Sequence, residues 1–144
     1  MPTTSQQVAP ETVSRVRQFY AEQMQLIDDG DVAGWAATFT EDAVFSSNGL
    51  PAPGHGRAAI EAGALRAAAE RRARGARHRH VQSALAVRDA GAGTLRCRSY
   101  VTVVETLPGA PPVLVAQTVL EDELVLHGGE PRVRARTVVR DDLR

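Results

Sequence analysis

The sequence predicts an α+β domain in which three helices cover one face of a curved antiparallel sheet. In the first half of the chain, apolar residues recur at three- and four-residue steps, which is the spacing of one buried helical face. After Gly75 the chain is rich in Val, Thr and Leu and is interrupted by short Gly- and Pro-containing segments, as expected for strands joined by tight connections. Helices followed by consecutive strands are typical of a sheet with helices on one side.

The first helix is predicted from Pro10 to Asp29. One face of this helix is apolar and consists of Val13, Val16, Tyr20, Met24 and Ile27. Pro10 suits a first helical turn, and Gly30 suits the left-handed residue that ends a helix. Asp31 is placed to cap a second, short helix that runs through Trp35 to Phe39, so that almost no loop separates the two helices.

A short strand and a third helix follow. Ala43 to Ser46 contains β-branched and aromatic residues and predicts a strand, whereas the Gly- and Pro-rich segment Asn48 to Gly56 predicts a loop. The third helix is predicted from Arg57 to about Arg74, and Gly75 ends it. Its inward face consists of Ile60, Ala64, Leu65 and Ala68.

Four long strands are predicted in the rest of the chain. They span Arg77–Arg88, Thr94–Thr106, Pro112–Leu126 and Arg132–Arg140. The connections between them are short, which is typical of an antiparallel meander. Because this sheet must curve around the helices, it leaves a concave interior, and such interiors are where small molecules bind.

The composition and the net charge limit the kinds of molecule that the protein is expected to bind. The 144 residues have the usual size of one domain, so a single domain over residues 1–144 is predicted, with Met1–Ala9 as a flexible tail. The 17 basic and 17 acidic side chains cancel, which argues against a nucleic acid or a membrane surface as partner. All basic residues are Arg, which indicates a GC-rich, actinobacterial type of genome.

Several kinds of site are not indicated by the sequence. The single Cys97 cannot form an internal disulfide or a multi-cysteine zinc site. The chain has no metalloprotease, phosphate-cradling, dinucleotide or nucleophile-elbow motif, so neither a metal nor a cofactor is predicted. Neither a secretory leader nor an apolar run long enough for a membrane helix is evident, so we expect a cytoplasmic protein.

Six short segments carry a family resemblance by their order and spacing. They are Ile27–Asp31, Phe39–Phe45, Gly56–Ile60, Arg79–Val81, Arg98–Tyr100 and Glu121–Leu124. Over residues 11–143 the chain resembles the nuclear-transport-factor-2-like superfamily and, within it, the SnoaL-like branch. The resemblance implies a cone-shaped pocket and often a homodimer. Members include isomerases, dehydratases, polyketide cyclases and proteins that only bind, so function must be argued from the pocket residues.

A histidine and an acid are the first catalytic candidates. His78, His80 and Gln82 share one face of their strand, and the pattern does not decide whether that face points inward. The resemblance places His80 where the dehydratase branch carries its catalytic histidine, and Asp28 where that branch carries the acid that orients it. An imidazole in such a pocket suits proton transfer, whereas a surface histidine and a solvated acid at a helix end are the alternatives.

The chain departs from two known chemistries of the superfamily. The Tyr that precedes the acid in the dehydratases is Ile27 here, which argues against simple dehydratase chemistry. The base of the ketosteroid isomerases falls at about Ser47, and their oxyanion-binding Tyr falls near Gln23. Serine has no useful basicity and an amide is a weaker donor than a tuned phenol, so isomerisation by that machinery is not expected.

Asp122 is the second candidate acid. It shares a strand face with Leu120 and Leu124 and matches the strand aspartate that SnoaL-type cyclases use as a base. An acid between two leucines is either a general acid or base of the pocket or half of a buried ion pair. The candidate partners for such a pair are Arg98, Arg134 and Arg136, which lie on nearby predicted strands.

Substrate-binding candidates complete the predicted site. Tyr100 is predicted to donate a hydrogen bond to a ligand oxygen or, alternatively, to pack in the core. The other candidates are Trp35 and Phe45 as pocket walls, together with His78 and Gln117.

Two functions of different kinds remain open. The first is a cofactor-independent enzyme that cyclises, dehydrates or isomerises an aromatic polyketide or similar polycyclic intermediate by proton transfer. The second is a non-catalytic accessory protein that shelters such an intermediate. A structural subunit, such as the small β subunits of ring-hydroxylating dioxygenases, is a third possibility that the resemblance implies. The semi-polar outer face of the sheet predicts a homodimer.

Overall fold

The computed structural model describes residues 7–144, which form three α-helices and six strands. The helices are α1 (Pro10–Asp28), α2 (Val32–Ala36) and α3 (Arg57–Ala73). The strands are β1 (Phe39–Ser47), β2 (Gly54–His55), β3 (Arg77–Gly91), β4 (Thr94–Thr106), β5 (Val113–His127) and β6 (Glu130–Arg140). Of the predicted flexible tail Met1–Ala9, residues 1–6 lie outside the described part of the chain.

The strands form one sheet in the order β2-β1-β6-β5-β4-β3. The predicted α+β class is confirmed, and β3 to β6 form the predicted antiparallel meander. Two details of the prediction were wrong. β1 runs parallel to β6, so the sheet is mixed, and the predicted loop from Asn48 to Gly56 contains β2, which pairs with β1. Pairing with a strand some ninety residues away leaves no local signal in the sequence of β1.

The ends of the helices follow from local chemistry. Gly30, with φ +84°, lies just after α1, and Gly75, with φ +66°, lies just after α3, both in the left-handed conformation that favours glycine. Asp31 caps α2 as predicted, since its carboxylate accepts a hydrogen bond of 2.9 Å from the backbone N–H of Gly34. The helix α2 ends at Ala36, earlier than predicted, because Phe39 already belongs to β1.

A bulge in β3 decides which side chains of this strand face the helices. Two residues of β4, Tyr100 and Arg98, are paired with Ser83 and Ala86, so β3 carries an extra residue at this point, and Ala84 has φ +53°. Before the bulge, His78, His80 and Gln82 lie on the inner face; after it, Leu85 and Val87 do. A strand without the bulge would have placed these two groups on opposite faces.

The core lies between the inner face of the sheet and the helices. Tyr20, Phe39 and Leu124 are among its largest fully buried side chains. Trp35 packs edge-on against Phe39 and Phe45, with ring centroids 4.7 and 6.4 Å away. Trp35 and Phe39 belong to the core, and Phe45 packs against it.

In the described residues, no helix combines the length and the apolar character needed to span a membrane. The cytoplasmic location stays a prediction.

Candidate active site

The site begins where the end of α1 meets β3. Asp28 is the last residue of α1, and its side chain is only 8% exposed. One carboxylate oxygen accepts a hydrogen bond of 3.0 Å from the backbone N–H of His80, and the other lies 2.6 Å from His80 Nδ1. These contacts compensate for the unfavourable position of a carboxylate at the negative end of a helix dipole.

The contact with Asp28 determines which nitrogen of the His80 ring carries the proton and which one is free to bind a ligand. An ionised carboxylate only accepts hydrogen bonds, so Nδ1 carries a proton and donates a hydrogen bond to Asp28. In the neutral ring Nε2 is then the nitrogen with a free lone pair, and it has no partner among the described residues. The side chain of His80 is 25% exposed, so the ring can be reached by a ligand.

His80 lies between an internal cavity and an open groove. The cavity has a volume of about 170 Å³ and is bounded mainly by apolar residues; Thr118 and Arg136 are among its polar ones. The groove, of about 840 Å³, runs between α1 and β3 and includes Asp28. Because both His80 and Met24 line the two spaces, the histidine stands at the border between them.

Two aromatic candidates lie at the cavity. Trp35 and Phe45 are both among its lining residues, on α2 and β1 respectively. Their contact with a substrate stays a prediction.

Asp122 lies on the inner face of β5 and forms a buried ion pair. Arg136, its partner on β6, donates from Nε to one oxygen at 2.9 Å and from Nη2 to the other at 2.8 Å. The hydroxyl of Tyr20 donates a third hydrogen bond, of 2.7 Å. The ion pair that the sequence left as an alternative is therefore present, and both oxygens of Asp122 are already occupied.

The network around Asp122 extends to Gln23. This buried amide accepts a hydrogen bond of 2.6 Å from Arg136 Nη2 and donates one of 2.7 Å to Thr38. Burial, together with the charge of Asp122, raises the pKa of Tyr20 well above its ordinary value, so the phenol keeps its proton and stays a donor. Sequence reasoning missed this role of Tyr20 and Gln23, since their partners lie 102 and 113 residues away in the chain.

Tyr100 and Gln117 do not line the cavity, and their contact with a substrate stays a prediction. Side chains alternate along β4, and Cys97, Ser99 and Val101 occupy the inner positions. Tyr100 therefore points outward, is 41% exposed and stacks against the guanidinium of Arg98. Gln117 is exposed on the same outer face and accepts a hydrogen bond from Thr102.

His78 lies on the inner face but lines neither the cavity nor the groove, which argues against its predicted contact with substrate. Its Nε2 is 2.9 Å from Glu105, which also binds Arg74 at 2.7 Å. Hydrogen bonds from Arg74 and His78 lower the pKa of Glu105 to about 2. This three-residue cluster joins Arg74, the residue after α3, to the start of β3 and the end of β4.

Within residues 7–144, no three His, Cys, Asp or Glu side chains are grouped so as to hold a metal ion. Cys97 is buried beside Tyr20, and this burial raises the pKa of its thiol to about 12. A thiol with that pKa is a poor nucleophile at neutral pH. An imidazole such as that of His80, which lines the cavity, can accept and return a proton.

Comparisons with known proteins agree with this architecture. The model of the SnoaL-like domain family matches residues 10–137. Among solved structures, Aln2 from a Streptomyces species is 40% identical, with a TM-score of 0.87 over 94% of this chain and 95% of its own. ActVI-ORFA from Streptomyces coelicolor is 32% identical, with a TM-score of 0.85 over 92% of this chain and 97% of its own.

A third similar structure holds a small molecule. This protein from Catenulispora acidiphila, in complex with S-DNPA, is 26% identical, with a TM-score of 0.79 over 93% of this chain and 96% of its own. No curated protein matches the chain.

Proposed function

The chain belongs to the SnoaL-like domain family, and on this premise we propose that it binds an aromatic polyketide or similar polycyclic intermediate and transfers a proton on it without a cofactor. The observation that carries this proposal is the Asp28–His80 pair at the border of an apolar cavity. The complex of the Catenulispora acidiphila protein with S-DNPA supports a small-molecule ligand in this fold.

In the proposed reaction, His80 Nε2 takes a proton from a carbon next to a ring carbonyl of the substrate. The electron pair of the C–H bond forms a carbon–carbon double bond, and the carbonyl electrons move onto oxygen to give an enolate. Asp28 holds the other ring nitrogen and stabilises the imidazolium that results. Return of the proton to another carbon gives an isomerisation. In a dehydration, the enolate expels a β-hydroxyl group, which takes the proton from His80 and leaves as water. In a cyclisation, the enolate carbon attacks a second carbonyl carbon, and the alkoxide oxygen formed there takes the proton.

Asp122 has a different part in this proposal from the base that the sequence suggested. Three hydrogen bonds occupy its two oxygens, from Tyr20 and from two nitrogens of Arg136. A proton leaving a substrate would have to displace one of these donors from a fully buried carboxylate. We therefore assign Asp122 a positioning role, which is to hold Arg136 at the cavity.

A non-catalytic binding protein is the second candidate. Ile27 lines the cavity at the position where the dehydratases carry a Tyr, and no tyrosine is among the described residues that line this cavity. A protein that only shelters an unstable intermediate needs the apolar walls and not the second proton donor.

Exchange of the α-protons of 1-tetralone, a bicyclic aromatic ketone, tests the proposal. In deuterium oxide, we expect the protein to accelerate loss of the NMR signal of these protons over a buffer blank. In a His80→Ala variant the catalysed exchange rate should be about 10²–10⁴-fold lower, and added imidazole should restore part of it. His127→Ala removes an exposed histidine at the end of β5 and should leave the rate unchanged.

Undiminished exchange by the His80→Ala variant would rule out His80 as the base. Saturable binding of 1-tetralone with no acceleration over the blank would instead favour the sheltering function.

A further inference from the structure

The buried guanidinium of Arg136 has one nitrogen that the protein leaves unused. Nε and Nη2 bind Asp122, and Nη2 also binds Gln23, whereas Nη1 has no hydrogen-bond partner among the described residues. Arg136 is only 5% exposed, yet none of the described side chains contains a fully buried nitrogen or oxygen without a partner. Since Arg136 lines the cavity of about 170 Å³, Nη1 must open onto this space.

The position of this nitrogen is held from several sides. Asp122 binds the guanidinium through two hydrogen bonds, and Gln23 adds a third. The ring of Phe39 lies against the guanidinium, with its centroid 5.2 Å from the central carbon. A donor fixed before the ligand arrives loses little entropy on binding, and this is the property that makes hydrogen-bond donors effective at a developing negative charge.

The charges around Arg136 indicate which kind of oxygen it binds. Asp122 already neutralises the guanidinium, so the site has no full positive charge left to balance a second buried anion. A neutral carbonyl oxygen needs only a strong donor, and a guanidinium donor makes stronger hydrogen bonds than a neutral one. A ring carbonyl therefore suits this place better than a carboxylate.

Other polar groups at the cavity are less suited to this role. The hydroxyl of Thr118 donates to the backbone carbonyl of Val101 at 2.8 Å and is already used. The indole N–H of Trp35, which also lines the cavity, is a neutral donor.

We propose that Arg136 Nη1 donates a hydrogen bond to a ring carbonyl of the ligand inside the cavity and stabilises the enolate oxygen formed there. The charge of this enolate is balanced by the imidazolium that forms on His80 in the same step, so Arg136 need only supply the hydrogen bond. Binding of the carbonyl stands on the geometry of Arg136 alone, whereas stabilisation of the enolate rests on the proposed function. In that step the C–H proton goes to His80 Nε2, the C–H electron pair forms the double bond, and the carbonyl π pair goes to the oxygen that Nη1 holds. This is the role that the sequence had suggested for Tyr100.

Binding of 1-tetralone and of tetralin, which has the same ring system without the carbonyl, tests the proposal. We expect the wild-type protein to bind 1-tetralone about 10–100-fold more tightly, as measured by NMR titration. In a variant with Tyr20→Phe, Asp122→Leu and Arg136→Met together, the ion pair and the phenol bound to it are replaced by apolar groups, and the preference should fall below about threefold. Trp35→Phe removes the other donor and should keep the preference.

A measurement on the wild-type protein covers the case in which the triple variant does not fold. The infrared carbonyl stretch of bound 1-tetralone should lie at a lower frequency than in an alkane solvent, because the carbonyl accepts a charge-assisted hydrogen bond. The proposal is overturned if 1-tetralone has no preference over tetralin, if the folded triple variant keeps it, or if the bound stretch equals that in alkane.

The same probe separates this proposal from the proposed function. His80→Ala should lose the exchange reaction but keep the preference for 1-tetralone over tetralin. A protein that has the preference but catalyses no exchange would refute proton transfer and leave the Arg136 carbonyl site standing.

Discussion

Asp28 and Asp122 are both largely buried carboxylates on the helix-facing side of the sheet, and they differ in what surrounds them. Asp28 binds the backbone and the ring of one residue, His80, which can gain or lose a proton. Asp122 binds a permanent cation and a phenol, and three hydrogen bonds fill its oxygens. The comparison teaches that the partners of a buried acid determine what it can do. The His80 ring beside Asp28 can exchange a proton with a ligand, whereas Arg136 and Tyr20 keep their protons and hold Asp122 in place.

The largest effect on stability is expected at Asp122, whose carboxylate is fully buried in the ion pair with Arg136. Asp122→Asn should lower the free energy of unfolding by about 3–5 kcal/mol, because it leaves the charge of Arg136 buried without a counterion. Urea unfolding measures this change. Glu121→Gln is the matched control, since Glu121 is the preceding residue, pairs with Arg98 on the exposed face, and should change the same quantity by less than about 1 kcal/mol. Equal losses in the two variants would contradict the structural role of Asp122.

A smaller effect on stability, but a clear effect on the rate of proton exchange, is expected at Asp28. Asp28→Asn keeps the shape of the side chain and removes the charge that stabilises the His80 imidazolium. We expect the exchange of 1-tetralone to slow by about 10–100-fold, as for other residues that orient a functional histidine. The unfolding free energy should fall by about 1–2 kcal/mol. A loss of stability as large as that of Asp122→Asn, with an unchanged rate, would remove the distinction between the two acids.

The smallest effect is expected at Glu105, an acid that has charged partners but lies outside the core. Hydrogen bonds from Arg74 and His78 lower its pKa to about 2, below the ordinary value of 4.5. A carboxyl whose pKa is lowered by folding stabilises the protein above its unfolded pKa. That stabilisation is lost as pH falls from about 4.5 towards about 2.

Glu105→Gln should therefore make the unfolding midpoint in urea less dependent on pH between about 4.5 and about 2. At neutral pH the change should be small, because Arg74 is exposed and solvent screens its charge. A variant with the same pH dependence as the wild-type protein in this interval would show that the cluster does not form in solution.

Local signals in the sequence were enough to place most elements of the fold. The apolar spacing from Val13 to Ile27 and the glycine at position 30 located α1 to within a residue, and β4 was predicted with its observed bounds. The start of β1 and the whole of β2 were missed, because β1 owes its extent to a parallel partner, β6, far along the chain. The inner face of β3 could not be chosen because a bulge at Ala84, which has no sequence signature, reverses the alternation.

The candidate site was predictable only in part. The family resemblance singled out His80 and Asp28, and the structure brings their side chains to 2.6 Å. The outward position of Tyr100 could not be predicted, because alternation along a strand yields two faces but does not say which one the helices cover. The cavity donor Arg136 could not be distinguished from Arg134, its neighbour two residues away, which a register shift places outside against Glu123.

By itself the sequence determined the helices, the meander, the ends of α1 and α3 and the family, since these follow from contacts or patterns between residues close in the chain. Only the tertiary structure decided that Asp28 is paired with a histidine at the cavity, whereas both oxygens of Asp122 are occupied by a buried arginine and a tyrosine. Asp28 meets His80 across 52 residues, and Tyr20 meets Asp122 across 102. The physical reason is that the role of a buried acid depends on the donors that fold around it, and here these donors come from distant strands and helices.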